Sequence, residues 1–211
     1  MLGVLIAVKD EAAAILANAA YRWEKQPGGT YYSAPKQLIL SVCGIGKANA
    51  AFALGQMFAR ADEVIMFGTA GGLGPEKTGS LYLCSEFVEH DMSADIPGLP
   101  TSAVIACSAS RTLERIREIC RQEKLALREG RVLSGDQFIH DQESADAKAA
   151  QFGGQLIDME SAAAAKICRR FRKSFCAVRY VTDKADRRAQ TAWQENVKTA
   201  AELFDRILVK F

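Results

Sequence analysis

The chain has 211 residues, with 27 Lys and Arg against 25 Asp and Glu and a formal net charge of +2 at pH 7. This length can bury a sizeable core, so we expect a single domain over residues 1–211 that needs no disulfide or metal scaffold. Because acidic and basic residues nearly balance, we expect neither a nucleic-acid nor a membrane partner.

Two features of the sequence favour a cytoplasmic location. The first apolar stretch, LGVLIAV at 2–8, is followed directly by Lys9, Asp10 and Glu11, so it is too short for a membrane span and lacks the pattern of a signal peptide. The six cysteines are widely spaced and never occur as CxxC, which is typical of buried thiols in a reducing compartment.

Short apolar stretches typical of β-strands alternate along the chain with stretches of helical periodicity. The alternation predicts an α/β sandwich around a mostly parallel or mixed sheet, in which ligands bind beyond the carboxyl ends of the strands. The predicted strands are 2–8, 37–43, 62–68, 80–88, 102–108, 131–135 and 174–182, and the predicted helices are 10–20, 47–60, 110–124, 142–151, 159–171 and 190–210.

Glycines or carboxylates stand just beyond several predicted strands, and a ring of such loops at one sheet edge suits a small-molecule site. The stretches are VKDE at 8–11, GIGK at 44–47, GTAGG at 68–72, GDQFI at 135–139 and TDKAD at 182–186. Neither glycine loop has the spacing of a dinucleotide or Walker phosphate motif. Tight turns between strand and helix explain both loops equally well.

The stretch QLIDMESAAAA at 155–165 places Asp158, Met159 and Glu160 between an apolar strand and a run of alanines. Helix capping is the ordinary explanation, since an acidic group near a helix start is stabilised by roughly 0.3–1 kcal/mol. From these residues alone, capping and ligand binding both stay open.

Five stretches in fixed order, SVCGIGKANAA, FGTAGGL, LSGDQFI, DMESAAAA and RYVTDKAD, resemble the nucleoside phosphorylase and nucleosidase superfamily. The chain is most similar to the bacterial 5′-methylthioadenosine/S-adenosylhomocysteine nucleosidases. The resemblance implies a three-layer α/β/α sandwich with a central mixed sheet, usually as a homodimer. It also implies hydrolysis of the N-glycosidic bond of an adenine nucleoside, such as 5′-methylthioadenosine, S-adenosylhomocysteine or 5′-deoxyadenosine, without metal or organic cofactor.

The resemblance assigns the two catalytic roles to carboxyl groups. Asp183 matches the general acid that protonates adenine, and burial can keep such a carboxyl protonated near neutral pH. Glu11 matches the base that activates the attacking water. The alternative for Asp183 is a residue of a turn or a helix cap. For Glu11, the alternatives are a solvated position at the helix start, or Asp10 as the base in its place.

The resemblance also assigns a binding site for the nucleoside. Glu160 matches the carboxylate that holds the ribose hydroxyls, although Asp158 departs from the family pattern, which has Glu there. Apolar core packing is the alternative for Phe138, and also for the three residues assigned to the 5′ substituent. The remaining matches are Met159 against the sugar, Phe138 and Ile139 at the base, Thr69, Ala70 and Gly71 beside the ribose, and Val8, Ile45 and Trp193 around the 5′ substituent.

The absence of an arginine expected at a phosphate site favours hydrolysis over phosphorolysis. A phosphorylase binds phosphate with arginines, one of them two residues before the glycine of its FGTAGG-like loop, where this chain has Met66. A phosphate-dependent phosphorylase and a non-catalytic nucleoside-binding module are the alternative functions. The segment HDMSADIPGLP is shorter than in the nucleosidases, which predicts a reshaped 5′ pocket. Lys184, Arg187 and Arg188 either face an acidic 5′ group or form a solvated loop.

Overall fold

The structure, a computed structural model, describes residues 1–93, 103–107 and 109–211. Within them the chain forms ten β-strands and six α-helices. The strands are β1 (Leu2–Ile6), β2 (Glu24–Lys25), β3 (Thr30–Ser33), β4 (Leu38–Val42), β5 (Glu63–Gly72), β6 (Leu81–Glu89), β7 (Ile105–Ala106), β8 (Leu127–Ser134), β9 (Leu156–Asp158) and β10 (Ser174–Asp183). The helices are α1 (Lys9–Ala17), α2 (Lys47–Met57), α3 (Arg111–Gln122), α4 (Gln142–Phe152), α5 (Ser161–Arg170) and α6 (Ala189–Leu208).

The described strands form one mixed sheet. Its centre is a parallel run in the order β4, β1, β5 and β10. Beyond β10 the sheet continues through β6, β8 and β9, and β9 pairs back onto the end of β5. These five strands therefore close into a ring, which brings the carboxyl ends of β5, β9 and β10 together.

Side chains of the central strands alternate between two helical layers, as the two-residue repeat of a strand requires. Val64 and Met66 of β5 belong to a core cluster that also contains residues of α2 and α5. Ile65 and Phe67 belong to a second cluster with residues of α1, α3 and α6. The predicted three-layer α/β/α sandwich around a mixed sheet is confirmed.

The predicted helices are all present, with ends shifted by no more than three residues. One difference concerns GTAGG, which was expected to form a loop beyond a strand but continues β5 to Gly72. Pairing extends the strand, because β10 pairs Gly68 to Gly71 and β9 pairs Gly71 and Gly72. The short polar strands β2 and β3 were not predicted, because they lack an apolar alternating pattern.

The predicted strand at 102–108 is observed only as the two-residue β7, and residues 102 and 108 lie outside the described residues. Most of the predicted 5′ segment, residues 94–100, also lies outside them. In the described residues, no helix is both long and apolar enough to cross a membrane. The six cysteines are free, with four buried and Cys43 and Cys107 half-buried.

Candidate active site

A cavity of about 340 Å³ lies at the carboxyl ends of the central strands. This volume falls in the range of small-molecule sites, roughly 300–1,000 Å³. A more open depression of about 590 Å³ lies at the opposite ends of β1, β4 and β5, and none of the predicted site residues lines it. The cavity is lined by Ala7, Val8, Glu11, Ile45, Thr69, Ala70, Gly71, Phe138, Ile157, Asp158, Met159, Glu160, Thr182, Asp183, Gln190 and Trp193.

Ile139 is the one predicted site residue that does not line this cavity. It lines a small adjoining cavity together with Phe138, Met159 and Asp183. Its side chain packs against a third core cluster, which contains Ala145 of α4. Phe138 is 51% exposed and forms part of the cavity wall, so it is available for stacking and is not a core residue.

Glu11 is a buried carboxyl group at the start of α1. Its Oε1 accepts hydrogen bonds from the backbone N–H and the hydroxyl of Thr69, both at 2.7 Å, and its Oε2 accepts one from Val8 N at 3.4 Å. Burial raises the pKa of Glu11, although the bonds from Thr69 and the nearby Arg179 oppose this. The last bond caps the first turn of α1, and Glu11 is only 4% exposed, so it is not the solvated helix start that was its alternative.

Arg179 is the buried cation of the site, and its guanidinium is 1% exposed. It pairs with Asp158 at 2.7 Å and donates to the hydroxyl of Ser161 at 2.6 Å and to the sulfur of Met66 at 3.0 Å. Burial by itself lowers the pKa of Arg179, but attraction to Asp158, Glu160 and Glu11 outweighs it and raises the pKa. A charge this deep requires a partner, and Asp158 is that partner.

Gly68 makes room for this guanidinium. It lies beside Arg179 in the parallel pairing of β5 and β10. A Cβ atom added to Gly68 would lie 2.0 Å from Nη1 of Arg179. Gly68 does not have a positive φ, so the glycine is required by close packing and not by a turn.

Glu160 lies at the N-cap of α5, with its carboxyl group directed at the GIGK loop. Its Oε1 accepts a hydrogen bond from Gly46 N at 2.8 Å. The adjacent N–H of Lys47 donates to Asp136 at 2.8 Å, which ties this loop to the end of β8. Burial, followed by repulsion from Asp158, raises the pKa of Glu160 to about 8. The glycines at 44 and 46 have positive φ, as the turn explanation for this loop predicts.

Asp183 is the last residue of β10 and lines the cavity. Its two oxygens accept hydrogen bonds from Ala185 N at 2.9 Å and from the hydroxyl of Thr182 at 2.8 Å. Burial raises the pKa of Asp183, while these two bonds act in the opposite direction. The carboxyl group therefore holds its proton more readily than an exposed aspartic acid does, as a general acid requires.

The cavity has an excess of acid groups. Glu11, Asp158, Glu160 and Asp183 line it, and among the described residues that line it there is no lysine, arginine or histidine. Arg179 lies behind the wall and is paired with Asp158. Burial raises the pKa of each of the other three carboxyl groups. In the described part of the chain, no group of three or more His, Cys, Asp or Glu is arranged to hold a metal ion.

The sequence reasoning missed Arg179, although RYVTDKAD contains it. The available signal was a single charged residue inside the apolar strand SFCAVRYVT, since a charge in a central strand has to be paired. The exposed side chains of Lys184, Arg187 and Arg188 do not line the cavity. This agrees with the solvated-loop alternative.

Comparison with known proteins identifies the family. The sequence profile described as Phosphorylase superfamily matches residues 1–211. The chain is 26% identical to the aminodeoxyfutalosine nucleosidase of Helicobacter pylori strain J99, over 98% of this chain and 96% of that protein. It is 25% identical to the 5′-methylthioadenosine/S-adenosylhomocysteine nucleosidase of Oceanobacillus iheyensis, over 99% of this chain and 96% of that protein.

A solved structure gives the same result. The 5′-methylthioadenosine/S-adenosylhomocysteine nucleosidase of Neisseria meningitidis in complex with methylthio-immucillin-A superposes with a TM-score of 0.85 at 28% identity, covering 100% of this chain and 99% of that one. The resemblance inferred from the motifs is confirmed, and the relatives are nucleosidases, as predicted. The chain belongs to the phosphorylase superfamily.

Proposed function

We propose that this protein hydrolyses the N-glycosidic bond of an adenine nucleoside and releases adenine. One observation carries the proposal: Glu11, Glu160 and Asp183, which are distant in the chain, line a single cavity of nucleoside size. Their raised pKa values are typical of functional carboxyl groups.

Each carboxyl group has a separate task in the proposed reaction. Asp183 donates a proton to N7 of adenine as the bond between C1′ and N9 breaks. The oxygen of a water molecule bonds to C1′, and Glu11 accepts the proton that this water loses. Glu160 accepts hydrogen bonds from the ribose hydroxyls. Phe138 stacks on the base, and Met159 packs against the sugar.

The acidic cavity also suits the charge that develops during the reaction. Cleavage passes through a sugar with oxocarbenium character, which carries positive charge. Burial raises the pKa of Glu11 and of Glu160, so ionising either carboxyl group costs free energy when no positive charge lies beside it. A cationic sugar between them offsets this cost, so the site favours the transition state over the neutral ground state.

The same charges support water over phosphate as the nucleophile. A phosphate dianion needs cationic or N–H donors, and the described residues of the cavity wall supply acids instead. Met66, at the position of the phosphorylase arginine, is fully buried, and its sulfur accepts a hydrogen bond from Arg179. Arg179 is in turn neutralised by Asp158.

The experiment is adenine release from a panel of 5′-modified adenosines, with and without phosphate. The panel includes 5′-methylthioadenosine, S-adenosylhomocysteine and aminodeoxyfutalosine, for which the relatives are named, and also 5′-deoxyadenosine. We expect release without phosphate. Strict phosphate dependence would establish a phosphorylase, and binding without release of adenine would establish a binding module.

Neutralising either catalytic carboxyl group tests the assigned roles. We expect Glu11→Gln and Asp183→Asn each to lower kcat by about 10²- to 10⁴-fold while nucleoside binding is retained. Asp10→Asn and Asp146→Asn are controls, since both remove an exposed carboxylate that does not line the cavity. If the controls and the catalytic variants lose activity equally, the roles are wrongly assigned.

We also propose that the protein acts as a homodimer of single-domain chains in the cytoplasm. The exposed apolar residues Ile45 and Phe52, at 55% and 69% exposure, support an association surface. They lie before and on α2. The six free cysteines support a reducing compartment.

A further inference from the structure

A chain of hydrogen bonds connects α6 to the proposed catalytic base. Nε1 of Trp193 on α6 lies 3.0 Å from Oγ1 of Thr69 on β5. The same Oγ1 lies 2.7 Å from Oε1 of Glu11 on α1. The backbone N–H of Thr69 donates to this carboxyl oxygen as well. Hydrogen bonds therefore connect Trp193, Thr69 and Glu11, which lie on three different elements.

The chemistry of the groups sets the direction of this chain. An indole N–H can only donate, and a threonine hydroxyl has one proton with two acceptor positions. Trp193 must therefore donate to Thr69. With an acceptor position of the hydroxyl occupied, the single proton of Thr69 is directed at Glu11. A phenylalanine in place of Trp193 would present a similar ring to the cavity but remove the donor that occupies this acceptor position of the hydroxyl.

The first turns of α6 are held in place independently. Nδ2 of Asn196 donates to the carbonyl oxygens of Thr182 at 3.1 Å and Ala192 at 2.8 Å. Thr182 directly precedes Asp183 at the end of β10. The indole of Trp193 is thus presented by a helix that is tied to the strand bearing the proposed acid.

We propose that Trp193 is a positioning residue for Glu11, acting through the hydroxyl of Thr69, in addition to forming part of the cavity wall. The inference rests on the proposed function, because Glu11 is assigned there as the base. The indole N–H fixes the hydroxyl in the orientation that stabilises the ionised carboxylate, which is the form that accepts a proton from water.

The sign of the expected pH effect follows from the surroundings of Glu11. Burial raises its pKa, and the hydroxyl bond from Thr69 is one of the interactions that limit the rise. The other charged or titratable groups that act on it are Arg179, Glu160 and Cys43, and all remain in the variants. Weakening the hydroxyl bond therefore raises the pKa of Glu11 further, so that ionisation requires a higher pH.

The kinetic test compares Trp193→Phe with wild type over the pH profile of kcat/KM for adenine release. We expect the acidic limb of the profile to move to higher pH in the variant. On the acidic side, the variant's kcat/KM relative to wild type should then be about threefold lower than it is on the plateau. In a Thr69→Val background the same substitution should no longer move the limb. The inference is overturned if Trp193→Phe does not move the acidic limb. It is also overturned if Trp193→Phe moves the limb by the same amount in the Thr69→Val background, which lacks the hydroxyl. A change in KM alone at every pH also overturns it, because that is the effect of a wall residue.

A second measurement does not depend on activity. In the ¹⁵N-labelled protein, the indole N–H signal of Trp193 should shift as Glu11 titrates, and Glu11→Gln should abolish the shift. Trp23 is the internal control, because its indole N–H donates to the carbonyl of Ile15 at 2.9 Å. A titrating Trp193 signal in a protein inert to all nucleosides would support the hydrogen-bond chain and refute the proposed function. An active enzyme with a Trp193 signal insensitive to Glu11 would refute the inference alone.

Discussion

The most consequential single residue outside the predicted set is Arg179. It neutralises Asp158 and anchors the hydroxyl of Ser161, so it fixes the turn from β9 into α5 that carries Glu160. Breaking a buried ion pair by removing one partner usually costs several kcal/mol, because the remaining charge is left without a partner. The geometry of the acidic cavity therefore depends on a cation that does not line it.

Gly68→Ala tests this dependence without removing any charge. The added Cβ collides with Nη1 of Arg179, so we expect a loss of about 1–3 kcal/mol in the free energy of unfolding. We also expect a loss of adenine release, because the guanidinium must move. Urea unfolding and steady-state kinetics measure the two effects.

Gly55→Ala on α2 is the matched control, since a Cβ there meets nothing within 4 Å. It should leave activity intact and stabilise the helix by roughly 0.5–1 kcal/mol. Equal destabilisation in both variants would mean that Arg179 does not require the glycine.

At the scale of elements, α2 packs an apolar inner face on the sheet and also carries one exposed aromatic side chain. Its buried residues Ala50, Leu54 and Met57 face the sheet. Phe52 points outward at 69% exposure, and Ile45, just before the helix, both lines the cavity and is 55% exposed. These two exposed side chains support the proposed association surface, which adjoins the cavity because Ile45 lines it.

Phe52→Glu tests the proposed homodimer. A carboxylate buried at an apolar interface is strongly unfavourable, so we expect the variant to be monomeric at concentrations where the wild type is a dimer. Light scattering coupled to size-exclusion chromatography measures the mass. Ala13→Glu, which adds the same charge to an exposed position on α1, should leave the dimer intact. A Phe52→Glu protein with unchanged mass would place the interface elsewhere.

At the scale of the whole molecule, the site makes stability depend on pH. The pKa of Glu160 is raised by burial from its ordinary value of 4.5 to about 8. Folding therefore favours the protonated form, and this contribution to stability is fully present below pH 4.5. It is lost as the pH rises through about 8, where the folded protein must ionise a buried carboxyl group.

Glu160→Gln should remove this part of the pH dependence. We expect its melting temperature to exceed that of the ligand-free wild type by about 2 °C or more at alkaline pH, with a smaller difference at acidic pH. Thermal unfolding across the range measures it. Glu195→Gln, at an exposed position on α6, should follow the wild type throughout. A Glu160→Gln advantage that is constant with pH would contradict the assignment.

The sequence by itself determined the order of the helices and of most strands, the layer architecture and the family. Periodicity is a local property, so the alternation of strands and helices could be predicted from it. The carboxyl groups of the site could be predicted because they stand at strand ends inside recognisable motifs. The roles of Glu11, Glu160 and Asp183 remain predictions that the proposed experiments test.

Only the tertiary structure decided which distant residues meet. Thr69 lies 58 positions from Glu11 and 124 from Trp193, yet one hydroxyl contacts both. GTAGG is a strand and not a loop because β9 and β10 pair with it, and Gly68 is required because Arg179 covers it. Such contacts depend on strand register and ring closure, which are set by packing over the whole chain and leave no local periodicity to detect.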